Sequence, residues 1–364
     1  MGSNDIGVLI IDDSAVVRET LSTLLKQEKG IEVLATAPDP IIGEKKIAQF
    51  SPDVLILDIE MPRMDGLTFL KKLMASKPIP TIICSGKTDS GGQSALRAIE
   101  LGAVEIITKP KMGTRDFLNE SIIAISNAIR AAHASRKSTT KIRPAAQSPG
   151  KKVSPKLTAD VIMPAPIRSL GGATEKVLAV GASTGGTEAL RVFLQAMPVN
   201  CPGIVIVQHM PEHFTRSFAD RMNEVCAINV KEAENGDKVL PGTALIANGG
   251  YHLLLKRDSR AYSVELKEGP LVCRHKPSVD VLFRSAARYG GKNIIGVILT
   301  GMGDDGARGM EEMKKAGSYN IAQDESSCVV FGMPKEAIAR GSVDMILPLE
   351  KIAGEALKKS LEVR

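Results

Sequence analysis

The chain has 364 residues, a length that predicts two domains at roughly 150 residues each. Apolar residues make up 43% and charged residues 24%, the balance of an ordinary soluble protein that can bury its own cores. No run reaches the roughly 18 uninterrupted apolar residues of a membrane span, so the chain is not expected to insert into a membrane. The net charge of +6 is local. Residues 1–129 carry 14 basic and 17 acidic side chains, 130–176 carry ten and two, and 177–364 carry 23 and 22. With both flanks near neutral and no recognizable recognition helix, nucleic acid is not an expected partner. Met1–Asp5 is polar and lacks the apolar block of a secretory leader, so a cytoplasmic location is expected. Five dispersed cysteines, Cys84, Cys201, Cys226, Cys273 and Cys328, form no Cys-x-x-Cys pair. They read as small core residues of a reducing compartment rather than as disulfides or a structural zinc site.

Short apolar runs open the chain: Gly7–Ile11, Ile31–Ala35, Val54–Leu57, Thr81–Cys84 and Glu105–Thr108. They alternate with helical patterns at a spacing near 25 residues. That spacing predicts a five-stranded, flavodoxin-like parallel sheet covered on both faces, in a domain over 1–130. Ligands of such sheets bind beyond the carboxyl ends of the strands. Those ends carry Asp12-Asp13, Asp58, Ser85 and Lys109-Pro110. Three carboxylates at one edge repel unless a cation lies among them, and all-oxygen ligation suits Mg²⁺. Lys109 adds a fixed positive charge and Ser85 a hydroxyl donor, a set able to bind a phosphoryl group. Helix capping accounts easily for one such aspartate but poorly for the whole set. The stretches IIDDS (10–14), LDIEMPRMDG (57–66) and TKP (108–110) resemble the receiver domain of two-component response regulators. The resemblance implies Asp58 as phosphoacceptor, and Asp12, Asp13, Asp58 and the backbone carbonyl of Glu60 as Mg²⁺ ligands. Ser85 and Lys109 would contact the phosphoryl oxygens. Ile106 stands where many receivers carry an aromatic switch residue, so a readout through an aromatic rotamer is not expected.

Residues 131–174, rich in Ser, Thr, Pro, Lys and Ala, lack sustained periodicity and read as a flexible basic linker. A second domain is expected over 175–364. Its strand Val177–Val180 runs into Gly181-Ala182-Ser183-Thr184-Gly185-Gly186, with a helix from about Thr187 to Ala196. Such a turn exposes a serine hydroxyl beside the free N–H groups of a helix N-terminus. It lacks the lysine of a P-loop and the spacing of a dinucleotide fingerprint. Strand Gly203–Val207 delivers His209 to the same edge. His209-Met210-Pro211-Glu212-His213 also fits a zinc-binding string, but Pro211 argues against both histidines lying on one helix. Strand Asn293–Leu299 leads into Thr300-Gly301-Met302-Gly303-Asp304-Asp305-Gly306. A serine, a histidine and an aspartate at three strand ends of one sheet make a nucleophilic triad. Gly181-x-Ser183-x-Gly185 matches the nucleophile elbow of α/β-hydrolases too, but the chain order serine, histidine, aspartate disfavours that fold.

GASTGG (181–186), QHMP (208–211), PSVDVLF (277–283), TGMGDDG (300–306) and AQDESSCVVFGMP (322–334) resemble the chemotaxis protein-glutamate methylesterase (CheB) family. With the receiver and linker, the resemblance covers the chain in that family's order, and it implies for the second domain a doubly wound α/β/α fold with a largely parallel sheet and a hairpin. It implies Ser183 as nucleophile, His209 as base and Asp305 as the orienting acid, with Thr184 and Met302 flanking an oxyanion site. Asp304 and the turn Ala247–His252 receive no role. The implied activity is hydrolysis of glutamate γ-methyl esters on methyl-accepting chemoreceptors, with release of methanol, and deamidation of certain receptor glutamines. A chemotaxis histidine kinase would be the phosphodonor, and ester hydrolysis needs no cofactor. The alternative is a non-catalytic, phosphorylation-gated protein that binds receptor or kinase. No heptad seam suggests an obligate dimer, and a monomer is expected.

Overall fold

The computed structural model describes residues 5–61, 64–86, 89–110, 115–136, 156–165, 175–258 and 261–362. The chain divides into two compact units, Met1–Pro155 and Lys156–Arg364.

The first unit is built on β1 (Ile6–Ile11), β2 (Ile31–Ala37), β3 (Val54–Leu57), β4 (Thr81–Ser85) and β5 (Glu105–Thr108), in the order β2-β1-β3-β4-β5. All four pairings are parallel. Strands such as Val54-Leu55-Ile56-Leu57 are buried at every position, as a sheet covered on both faces requires. Helices α1 (Ala15–Leu25), α2 (Pro40–Phe50), α3 (Gly66–Ser76) and α4 (Asp89–Glu100) supply the four connections, and α5 (Arg115–Ser135) follows β5. Leu21 and Leu25 of α1 pack with Ile125, Ile129 and Ala132 of α5 on Val8, Ile10 and Ile56 of the sheet. The register aligns the strand ends: Ile11 pairs with Leu57, and Ser85 with Thr108. Asp12, Asp58, Ser85 and Lys109 therefore emerge at one edge.

The second unit holds seven parallel strands in the order β14-β13-β12-β6-β7-β9-β8. The strands are β6 (Val177–Ala182), β7 (Gly203–Gln208), β8 (Asn229–Glu232), β9 (Thr243–Ile246), β12 (Ile294–Ile298), β13 (Tyr319–Gln323) and β14 (Met345–Leu347). A separate antiparallel hairpin joins β10 (His252–Asp258) to β11 (Ala261–Lys267). The parallel sheet plus hairpin agrees with the fold read from the sequence. Helices α6 (Gly186–Gln195), α7 (Glu212–Val225), α8 (Val279–Tyr289), α9 (Ala307–Lys315), α10 (Met333–Ala339) and α11 (Leu349–Leu361) complete the unit. Ala182 pairs with Gln208 and Gly181 with Ile298, so the residues following β6, β7 and β12 share one edge. Among the described residues, no helix is long and apolar enough to cross a membrane.

The domain limits differ from those read in the sequence. Helix α5 continues to Ser135, past the expected boundary at 130. The second unit begins at Lys156 rather than at 175; residues 137–155 and 166–174 of the expected linker lie outside the described residues. Residues 156–165 form a strap on the second unit. A short 3-10 turn, Ala159–Val161, buries Ala159, Ile162 and Met163 against Leu254, Val272, Cys273 and Val281. Asp160 pairs with buried Arg284 at 2.7 Å, and Lys267 Nζ donates to the Ile162 carbonyl. Only three of the ten residues, Ala159, Ile162 and Met163, are buried, too few to set a periodic pattern, so composition alone reads this segment as linker. Burying one Ile or Met contributes roughly 1.5–3 kcal/mol, and a domain of this size shifts by about 2–4 °C per kcal/mol. A catalytic fragment beginning at Glu175 is therefore expected to melt roughly 10 °C below one beginning at Lys156, as calorimetry would measure; equal melting temperatures would contradict the strap's contribution.

Candidate functional site

In the first unit, the aspartates at the strand ends are not helix caps. Ser14 caps α1, accepting from the Val17 N–H, and Asp65 caps α3, accepting from the Leu67 N–H. Asp12 and Asp58 are buried, and Asp13 is exposed. Lys109 Nζ lies 2.7 Å from Asp58 Oδ2 and 3.1 Å from Asp12 Oδ2. Burial opposes its charge, but the hydrogen bond to Asp58 and the charge of Asp12 outweigh that and raise the Lys109 pKa. Burial is the main cause of the raised pKa of Asp12, and neighbouring Asp58 adds to it while Lys109 opposes. Asp58 Oδ1 accepts from the Glu60 N–H at 3.0 Å, which fixes the carboxylate and places the Glu60 backbone beside it. Gly66 is indispensable here, since a Cβ would lie 2.3 Å from the Asp58 carbonyl oxygen. The buried Ser85 hydroxyl has no hydrogen-bond partner among the described residues. Carboxylate oxygens of Asp12, Asp13 and Asp58 lie within 4.8 Å of one another. Hard oxygen donors in excess of the single neutralizing lysine fit a divalent cation such as Mg²⁺. Ile106 is buried in β5.

In the second unit, Ser183, His209 and Asp305 form one hydrogen-bonded line. Ser183 Oγ is 3.1 Å from His209 Nδ1, and His209 Nε2 is 2.8 Å from Asp305 Oδ2. All three are nearly inaccessible to solvent. Ser183 sits between β6 and α6, where Gly185 adopts φ +77° to start the helix, a conformation that costs glycine little. The Ser183 N–H donates to the Thr300 carbonyl at 3.0 Å, which draws the 300–306 loop against the serine. Asp305 rests on the N-terminus of α8. Its Oδ1 accepts from Ser278 Oγ (2.8 Å) and the Asp280 N–H (3.0 Å), and its Oδ2 accepts from the Val279 N–H (2.8 Å) and His209. Burial alone would raise its pKa. The hydrogen bond and charge of His209, with the backbone donors, instead bring it down to about 2. An ionized Asp305 accepts only, so His209 carries its proton on Nε2 and leaves Nδ1 to accept from the Ser183 hydroxyl. That is the arrangement a general base requires.

The remaining predicted residues divide. Thr184 is buried, and its carbonyl accepts from Thr300 Oγ1 at 3.0 Å; Met302 lies on the same 300–306 loop. Thr184 follows Ser183 directly, and Gly301, the neighbour of Met302, packs against Ser183. Asp304 points elsewhere, pairing with Lys156 of the strap at 2.5 Å. In the 247–252 turn, the Gly249 N–H donates to Thr215 Oγ1, a contact with α7 outside the Ser–His–Asp line. The zinc string fails on geometry: α7 begins only at Glu212, and both nitrogens of His209 are engaged. Four of the cysteines are buried, Cys226 is partly so, and all are free.

Sequence reasoning missed several neighbours. Gln208 Nε2 donates to the carbonyls of Ser183 and His209 (2.9 and 3.0 Å), tying the two loops together. Ser278 and the first N–H groups of α8 hold Asp305; their signal lay in PSVDVLF, which carries no obvious chemistry until folded. The ring of His275 stacks on His209. Asp280 is buried beside Asp305, accepting from the Gly309 N–H (2.7 Å) and from the Cys273 thiol (3.3 Å). Burial and the charge of Asp305 push its pKa up to about 7. Each oxygen of these two carboxylates already accepts a hydrogen bond, so the cluster with Cys273 is not read as a metal site. In the unfolded chain Asp280 ionizes near pH 3.9, whereas the fold retains its proton to about 7. Stability is therefore lost as pH rises through that window. Asn at 280 can still accept from Gly309, and its amide can face the Cys273 sulfur. Asp280→Asn is expected to melt higher than the parent at pH 8 and equally at pH 4; a pH-independent difference would exclude this linkage.

Comparison with known proteins agrees with this organization. A CheB methylesterase family model matches residues 178–356, and a response regulator receiver domain model matches residues 8–120. The chain is 57% identical over 354 residues to protein-glutamate methylesterase/protein-glutamine glutaminase 3 of Geobacter metallireducens, covering 97% of this chain and 98% of that protein. It is 55% identical over 349 residues to protein-glutamate methylesterase/protein-glutamine glutaminase 2 of Chromobacterium violaceum, covering 96% and 98%. Among solved structures, the CheB methylesterase catalytic domain of Thermotoga maritima is 40% identical with a TM-score of 0.50, covering 51% of this chain and 99% of that one.

Proposed function

This chain belongs to the CheB methylesterase family, with a response regulator receiver domain ahead of the esterase, and from that premise we propose that it is a phosphorylation-activated protein-glutamate methylesterase and protein-glutamine glutaminase. Its substrates are glutamate γ-methyl esters and selected glutamines of methyl-accepting chemoreceptors. It acts in the cytoplasm, as a monomer, and a chemotaxis histidine kinase is the phosphodonor. The observation that carries the reading is the unbroken line Ser183–His209–Asp305 at one sheet edge. The non-catalytic binding alternative requires no such line and is not favoured.

In the esterase step, Ser183 Oγ attacks the ester carbonyl carbon as His209 Nδ1 takes its proton. Asp305 holds the other ring nitrogen and stabilizes the imidazolium. The tetrahedral oxyanion lies against the backbone of Thr184 and Met302, where one well-aimed donor is worth about 3–4 kcal/mol. Collapse breaks the bond to the methoxy oxygen, which leaves as methanol with the proton from His209. Water, deprotonated by the same histidine, then releases the glutamate carboxylate and restores Ser183. With glutamine the leaving group is ammonia.

In the receiver, Asp58 accepts the phosphoryl group, and Lys109 and Ser85 contact its oxygens. Asp12, Asp13, Asp58 and the Glu60 carbonyl would hold Mg²⁺, which supplies charge neutralization between carboxylates and phosphoryl oxygens. The new anion rearranges hydrogen bonds at this edge and thereby releases the esterase from restraint. The test is methanol release from methylated receptor cytoplasmic fragments, with and without Mg²⁺ and a small phosphodonor, for the parent, Ser183→Ala and Asp58→Asn. Release that is independent of both residues would overturn the reading.

A further inference from the structure

We infer that His275 is a positioning residue of the esterase site, its ring backing the imidazole of His209 and holding it in line between Ser183 and Asp305. The inference deepens the proposed function and rests on it. The two rings are face to face, with centroids 3.7 Å apart and planes within 7°. The contact uses the flat face of His275 rather than a nitrogen.

The backbone that presents this ring is unusual. Val272 and His275 exchange both backbone hydrogen bonds (3.0 and 2.8 Å) across a two-residue turn. Its central residues, Cys273 and Arg274, have φ +50° and +70°. Two successive left-handed residues define a type I′ turn, which normally takes Asn or Gly. Strained backbone of this kind persists where its surroundings over-determine it, and it clusters at functional sites. Two neighbours lock it here. The Cys273 N–H donates to the Leu157 carbonyl of the strap at 2.9 Å, and its thiol donates to Asp280.

The stack has a mechanical consequence. Rotation of His209 about its Cβ–Cγ bond would sweep the ring edge through the space His275 fills. The imidazole is thereby kept with Nδ1 toward Ser183 and Nε2 toward Asp305. It also has an electrostatic one. Burial and adjacent His209 hold the His275 pKa down to about 3, against the opposing charge of Asp305 and with Lys156 and Arg274 nearby. His275 therefore presents a neutral π face, not a second cation, when His209 becomes imidazolium.

The test uses the full chain with His275→Ala, His275→Phe and His275→Leu, and Ser183→Ala as control. The readouts are kcat and KM for methanol release, the labelling rate of Ser183 by a fluorophosphonate, and the melting temperature. His275→Ala is expected to lower kcat and labelling roughly ten- to hundredfold, as for a catalytic group displaced by an ångström, with KM within about twofold. Phe, which restores a flat ring, returns both rates to within about threefold of the parent; Leu, with similar bulk and no plane, does not. If His275→Ala does not fold, the Phe and Leu pair decides alone. Equal rates for Phe and Leu, or an unaffected Ala variant, would overturn the inference. Activity surviving in Ser183→Ala would instead overturn the esterase reading beneath it.

Discussion

Ser183→Ala is expected to lower methanol release by at least about 10⁴-fold, since removing the nucleophile of a serine hydrolase costs as much as removing the whole triad. The prediction follows from the division of labour along the line. His209 can accept a proton only from a group held at its Nδ1, and Ser183 Oγ is the one placed there, at 3.1 Å. Asp305→Asn is expected to fall by a similar factor, about 10⁴, for a different reason, the wrong histidine tautomer. The Asp305 carboxylate accepts from Ser278 Oγ, two backbone N–H groups and His209. An amide must turn its NH₂ toward one of those donors. Each oxygen accepts one backbone N–H, so the NH₂ faces either the Val279 N–H together with His209 or the Asp280 N–H together with Ser278, and the first orientation forces His209 into the other tautomer. Both variants should retain the parent's far-ultraviolet circular dichroism. More than about 1% of parental turnover in Ser183→Ala would mean that another group performs the attack.

Asp58→Asn is expected to lose all phosphodonor-dependent stimulation while keeping basal esterase activity. A carboxylate oxygen is required to form the acyl phosphate; an amide nitrogen at that place is not a nucleophile at neutral pH. The surrounding residues raise the stakes of that one oxygen. Lys109 already contacts Asp58 and Asp12 together, and the Ser85 hydroxyl is buried without a partner among the described residues, so binding groups for an added anion are in place. Chelating Mg²⁺ should abolish the stimulation in the parent as well. Basal activity should survive both treatments, since the Ser–His–Asp line contains no receiver residue. Stimulation that persists in Asp58→Asn would place the phosphoacceptor elsewhere. Deleting residues 1–140 should raise basal activity, and unchanged activity in a folded truncation would count against restraint by the receiver.

Much of this was legible in the chain because parallel strands, buried on both faces, are short continuous apolar runs. Val54–Leu57, Gly203–Gln208 and Ile294–Ile298 stand out for that reason, and each is followed by its chemical group. In a parallel sheet all strands point the same way, so a residue following one strand necessarily shares an edge with those following the others. The identities of Ser183, His209, Asp305, Asp58 and Lys109 as candidates therefore needed no coordinates. Strands β8 and β14 were not legible, because at the sheet's edges they carry exposed or polar positions, as in Asn229-Val230-Lys231-Glu232.

Tertiary structure decided what depends on distant segments meeting. Sequence could not separate a capping aspartate from a chemical one; folding did, by assigning the caps to Ser14 and Asp65. Sequence preferred Asp305 to Asp304 only through the family motif and could not show what holds it; the fold sets Asp305 against the α8 N-terminus and gives Asp304 to Lys156 of the strap. Nor could it find His275, which lies 66 positions along the chain from His209 and reaches it only through a left-handed turn. Periodicity and composition are local quantities and mark elements. Hydrogen-bond acceptance, ring stacking and pKa are properties of neighbours, and neighbours exist only after the sheet has registered its strands.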